Sequence, residues 1–126
     1  MSYVYQARQK LLWYTKDYID DNGIGCDEYC DKPLIHPMAD GLFLSVLSII
    51  RELGLLDDSL LSYWASMSFN RLWNTKIEID SSNVAWGLGF SWKNTSSTEP
   101  FTITTCLVVQ GLKDAIHLID PNQNNL

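Results

Sequence analysis

Long apolar runs are missing from this chain of 126 residues. The longest, Gly41–Ile50, is interrupted by Ser45 and Ser48. It falls well short of the ~18 residues that a membrane span needs, and it reads as a buried helix. The first residues, Met1–Lys16, are amphipathic and lack the charged-then-apolar order of a secretory leader. A cytoplasmic location is therefore the expectation. Positive charge is also scarce, with 9 Lys and Arg against 15 Asp and Glu and a net charge of -6. Phosphate binding needs a basic patch, and Arg8, Arg51 and Arg71 are scattered, so nucleic acid is disfavoured as a partner. Only two histidines and three cysteines are present. An odd number of cysteines without a secretion signal predicts free thiols.

What is present describes one globular domain. Apolar residues make up 46% and charged residues 19%, enough for a core and too ordered a composition for a disordered chain. A single helical domain is expected over residues 1–120, with a flexible tail over 121–126 after Pro121. The spacing of Val4, Ala7, Leu11, Tyr14 and Tyr18 predicts a first helix from about Tyr3 to Ile19, with those residues on its packed face. Asp21-Asn22-Gly23 stops it, and residues 22–38 read as loop. Pro37 precedes a second helix, about Ala39 to Leu53, apolar on nearly every side and expected to be buried all round. Gly54 ends it. Asp57 or Asp58 caps a third helix reaching about Trp73, whose Trp64 and Trp73 are expected in the core. Residues 75–100 form a second long loop with a short strand at Ile77–Ile79. A fourth helix runs from Thr102 to Ile119. Phe43, Leu47, Ile50, Leu107 and Leu112 are the predicted core.

The chain also repeats itself. Its first half reads helix, Gly23-Ile24-Gly25, loop, Pro37, apolar helix, and its second reads helix, Gly87-Leu88-Gly89, loop, Pro100, apolar helix. Beyond the prolines, Phe43 matches Cys106, Leu44 matches Leu107, Val46 matches Val109 and Ile49 matches Leu112. Such a pattern means a helical hairpin used twice. The stretch "AWGLGFSW", followed by "EPFTITTCLVVQGLKDA", resembles the turn and inner helix of α/α-toroid proteins, the terpenoid-cyclase and prenyltransferase-like repeats. In those proteins a tryptophan-glycine turn leads through a proline into an apolar inner helix ending in Leu-x-Asp-Ala, here Leu112-Lys113-Asp114-Ala115. The resemblance covers about Ala85–Ala115 and implies a helical-hairpin architecture. A closed toroid needs many more than four helices. The Asp-rich motif of terpene cyclases and the zinc set of protein prenyltransferases are absent, so no catalytic residue is carried over. The expected fold is all-α, two helical hairpins (four main helices) with two long loops, arranged either as an open toroid-like arc or as a compact four-helix bundle.

Three constellations invite a chemical reading. Cys26, Cys30 and His36 (C-x3-C-x5-H) offer zinc-type ligands, but a structural zinc needs four. Asp27, Asp31 or His117 would have to complete the set at no standard spacing, so small thiols packing a loop is preferred, and no metal or cofactor is expected. The acidic span "DYIDDNGIGCDEYCD" fails as an EF-hand, because counting Gly25 as the sixth position puts Ile24 at the fifth and counting Gly23 puts Tyr18 first. That leaves a solvated acidic surface or an acidic docking surface built by Asp20, Asp21, Asp27, Glu28 and Asp31. His117, in the last turn of the fourth helix, suits the helix dipole. Gly87-Leu88-Gly89 lacks the third glycine of a dinucleotide site, and no nucleophile elbow is present, so catalysis is not expected.

The aromatics remain. Steps of two place Trp86, Phe90 and Trp92 on one face if the segment is a strand. That face either plugs the open end of the bundle or is exposed as a contact surface or a sugar-stacking platform. The composite expectation is a small acidic binding protein with a basic protein partner, such as a bacterial immunity or inhibitor protein, with a homodimer as a further mode of association. The alternative is a piece of a toroid enzyme or carbohydrate-binding protein of polysaccharide or terpenoid metabolism.

Overall fold

Proline, glycine and apolar periodicity set the helix boundaries. In the computed structural model, which describes residues 2–20, 23–24 and 35–120, the helices are α1 (Tyr3–Tyr18), α2 (Pro37–Glu52), α3 (Asp58–Thr75) and α4 (Thr102–Ala115). Two minimal antiparallel ladders accompany them, β1 (Ile19–Asp20) with β2 (Gly23–Ile24) and β3 (Ile77–Glu78) with β4 (Val84–Ala85). The described chain is all-α in character, as expected.

α2 starts on Pro37 itself, two residues earlier than the sequence predicts. Proline at the first helical position has its φ preset and needs no amide partner there. The helix ends in a Schellman closure, with Gly54 N–H donating to Arg51 O at 3.0 Å and Leu55 N–H to Ile50 O at 3.2 Å. Gly54 takes φ 63°, the left-handed value that a side chain resists. α4 stops at Ala115, short of the expected Ile119. Leu118 N–H donates back to Ala115 O at 2.9 Å, and this turn folds the buried Leu118 against the core. His117 therefore stands just beyond the helix and not in its last turn.

α2 is the centre of the molecule and lies against both α3 and α4. Asp40, in the first turn of α2, meets Arg71 near the end of α3. At the other end Arg51 of α2 faces Asp58, which opens α3, at 3.6 Å. The two helices are therefore antiparallel. α4 runs parallel to α2: Gly41 lies against Leu107 and Val108, and Ser45, one turn on, donates to Asp114 Oδ2 at 2.9 Å. The crossing is close because two glycines meet there. A Cβ on Gly41 would stand 2.8 Å from Leu107 O, and one on Gly111 would run into the Gly41 backbone.

The core is Phe43, Leu44, Leu47 and Ile50 from α2, Leu61, Ala65 and Leu72 from α3, and Val108 and Ala115 from α4. Of the predicted core residues, Phe43, Leu47 and Ile50 are buried, whereas Leu107 and Leu112 are only half-buried because α4 is packed along one side. α1 is rotated from the expected orientation. Leu11, Leu12 and Thr15 face the core while Val4 and Tyr14 are exposed. Trp64 packs on Phe43 with ring centroids 6.3 Å apart. Trp73 is 52% exposed, stacks on Phe69 at 6.0 Å and carries Lys76 Nζ 4.5 Å above its ring. It belongs to the surface and not to the core.

Candidate functional site

The connection between α3 and α4 is built on Trp86. Immediately after β4 its indole turns inward, leaving 4% exposed, and Nε1–H donates to Leu72 O at 2.8 Å. The backbone around it is tied to α4: Trp86 N–H donates to Thr105 Oγ1 at 3.0 Å, and Phe101 N–H donates to Trp86 O at 2.9 Å. An indole that satisfies its own N–H while sealing the end of α3 acts as a plug. The two glycines that follow are required by space. A Cβ on Gly87 would collide with Glu99 O, and one on Gly89, at φ 79°, with Ile35 O. The loop therefore lies flat against both its own return and the entry to α2.

Beyond Gly89 the chain turns outward. Phe90 is half-buried and meets the His36 ring edge-on at 5.2 Å. Trp92 and Thr95 exchange both backbone hydrogen bonds, at 3.0 and 2.9 Å. The turn between them is tight enough to hold Lys93 at φ 52°. Trp92 is 57% exposed on this tip, and Lys93 Nζ lies 5.8 Å from its ring centroid. The one-face expectation for Trp86, Phe90 and Trp92 is corrected here. The strand stops at Ala85, so the alternation by twos has no strand to act on. Trp86 is the plug, Phe90 a bracket on His36, and Trp92 a projecting aromatic.

A second exposed feature lies on α2. Its outward side carries Leu42, Val46 and Ile49, with Leu53 at its C-cap, exposed by 47%, 42%, 54% and 65%, where the sequence predicts burial all round. Among the described residues α3 and α4 pack on its other sides, and β2 touches it, without covering these four side chains. Between it and α1 runs an open apolar groove of about 370 Å³, lined by Leu11 and Tyr14 of α1 and Leu42, Phe43 and Val46 of α2.

The buried charged pair between α2 and α3 is structural. Arg71 Nη2 donates to Asp40 Oδ1 at 2.7 Å and to Ser68 Oγ at 3.1 Å, and its Nε reaches both carboxylate oxygens. Sequence reading missed this pair, since nothing in the order of residues links positions 31 apart. His36 precedes α2 as its N-cap without a side-chain cap bond. Its Nδ1 is buried without a partner among the described residues, and burial pushes its pKa below the ordinary value against the opposing pull of Asp40.

The expected acidic surface falls on Asp20, Asp21, Asp27, Glu28 and Asp31. Asp21, Asp27, Glu28 and Asp31 lie outside the described residues, and for Asp20 only the backbone is described. Cys26 and Cys30 also lie outside them. Among the described residues no group of three or more metal-ligating side chains comes together, and no helix is long and apolar enough to cross a membrane. Comparison with protein-family models, with curated proteins and with solved structures gave no match.

Proposed function

We propose that this chain is a small acidic, non-catalytic binding protein that acts by protein–protein contact, in the manner of a bacterial immunity or inhibitor protein covering a basic effector. The observation that carries this reading is Trp92. A large aromatic held half in solvent on a two-residue turn, whose stem is pinned by the buried Trp86, is a preorganised anchor. Tryptophan at such positions supplies much of the binding energy in protein interfaces. The excess of acids, 15 against 9 bases, favours a basic partner by steering its approach. The reading includes a cytoplasmic location and neither cofactor nor metal.

The parallel packing of α2 and α4 favours a second reading. Consecutive hairpins of a toroid place their inner helices side by side in one direction, and here the two proline-led helices do so with α3 returning between them. On that reading the chain is part of an α/α-toroid enzyme or carbohydrate-binding protein, and Trp92 is a platform for a sugar ring. Affinity capture from the native host, with the whole chain as bait, separates the two. The binding-protein reading expects one basic protein recovered at low salt and released as ionic strength rises. Recovery of no protein, together with quenching of tryptophan fluorescence by oligosaccharide, would favour the second reading.

A further inference from the structure

We propose that His36 is a pH-sensitive latch: protonation of its imidazole releases Gly89 and Phe90 from the entry to α2 and so frees the loop that holds Trp92. As a control on partner binding, this rests on Trp92 being the contact residue. The seat is small. Gly89, at φ 79°, lies against Ile35 O and Pro37 Cδ, and Phe90 packs on the His36 ring with centroids 5.2 Å apart. Among the described residues no hydrogen bond joins residues 88–91 to α2. Trp86, just before them, is held independently by Leu72 and Thr105. A segment seated by packing alone, next to a fixed point, can open without disturbing the core.

His36 has nowhere to place a second proton while the seat is closed. Its Nδ1 is buried without a partner among the described residues. The imidazolium must donate from both nitrogens, and an unpaired donor on a charged ring costs more than an unpaired acceptor on a neutral one. The surrounding charges do not repair this. On its own helix Asp40 favours the cation, but both carboxylate oxygens are already bonded to Arg71. From α3 the facing group is Arg71 itself, a like charge. The N-terminal end of α2 also disfavours positive charge. Neither Gly87–Trp92 nor the first turn of α4, Thr102–Thr105, carries a charged side chain, and Lys93 and Glu99 are exposed. Asp31 and Lys32, which precede His36 in sequence, lie outside the described residues. Burial accordingly outweighs Asp40 and holds the pKa of His36 below its ordinary value. Moving Phe90 aside opens Nδ1 to water. The open form then takes up the proton near the ordinary pKa of about 6.5, and acid favours it.

NMR relaxation dispersion at the Gly89 and Phe90 amides of the full chain, from about pH 7.5 to 5.5, tests this. No partner enters the measurement, so its outcome is separate from whether Trp92 binds a protein. The open population should rise by up to about 10-fold over that range, a ceiling set by a pKa of about 6.5 in the open form. Amides within α2 and α4 should report no change. His117→Gln, at the exposed histidine beyond α4, should respond like the parent, and His36→Gln should lose the response. Phe90→Ala leaves the histidine in place and gives a second readout: the ring titration of His36 should move up toward about 6.5. An open population independent of pH overturns the proposal. So does a response that survives His36→Gln, or a His36 titration that Phe90→Ala leaves where it was.

Discussion

Arg71 and Asp40 form a buried ion pair that joins the end of α3 to the start of α2. Nη2 stands 2.7 Å from Oδ1, with the arginine 6% and the aspartate 1% exposed. Removing one partner strands a charge in the core, which costs about 3–5 kcal/mol. Asp40→Ala and Arg71→Ala should each lower stability by that order in urea unfolding. Asp40→Leu combined with Arg71→Met should recover part of the loss, because no lone charge remains. If the double variant lost the sum of the two single effects, the residues would not be coupled.

Trp86 gives a prediction about the loop. Phenylalanine keeps the ring but leaves Leu72 O without its indole donor, which costs about 1–3 kcal/mol. Trp86→Phe should therefore be measurably less stable, and Trp86→Ala should lose about 3–5 kcal/mol. Trp92→Ala should leave the unfolding midpoint in place, since that ring is already largely in water. Equal destabilisation by Trp86→Ala and Trp92→Ala would contradict the assignment of plug and projecting tip.

His36 predicts a dependence on pH. Burial lowers its folded pKa beneath the unfolded value of about 6.5. The unfolded chain then takes up the proton first as pH falls. The stability associated with neutral His36 is present above about pH 6.5 and is lost as pH drops from there through the folded pKa. Between pH 8 and 5 the parent should lose more stability than His36→Gln, which has no proton to gain. Parallel curves for the two proteins would show that the imidazole titrates alike in both states.

Much of the helical framework was legible because its signals are local. Pro37 and Gly54 bracket α2 through backbone preferences that act within a turn, and Phe43, Leu47 and Ile50 follow from apolar spacing. Leu42, Val46, Ile49 and Leu53 were misjudged by the same reasoning. Apolar sequence shows that a side chain avoids water, but the neighbouring helices decide whether it can, and among the described residues no helix covers those four side chains. The rotation of α1 has a similar cause: Thr15 is buried by donating its hydroxyl to Leu11 O and Leu12 O, which a count of apolar residues does not register.

The candidate site was legible as a place but not as an arrangement. Two tryptophans around two glycines mark a turn with a purpose. Parity could not sort Trp86 from Trp92, because the strand ends at Ala85 and the left-handed Gly89 breaks the alternation between them. The Asp40–Arg71 pair was invisible for a different reason, since it is a tertiary contact between residues that look like ordinary helix-surface charges.

The most direct test of the binding reading is the affinity of the captured partner for Trp92→Ala, measured by titration calorimetry beside the parent chain. An anchor residue contributes about 2 kcal/mol or more, which is roughly 30-fold in Kd. The account predicts at least that loss for Trp92→Ala, with an unchanged melting curve. A partner that binds Trp92→Ala as tightly as the parent would contradict it.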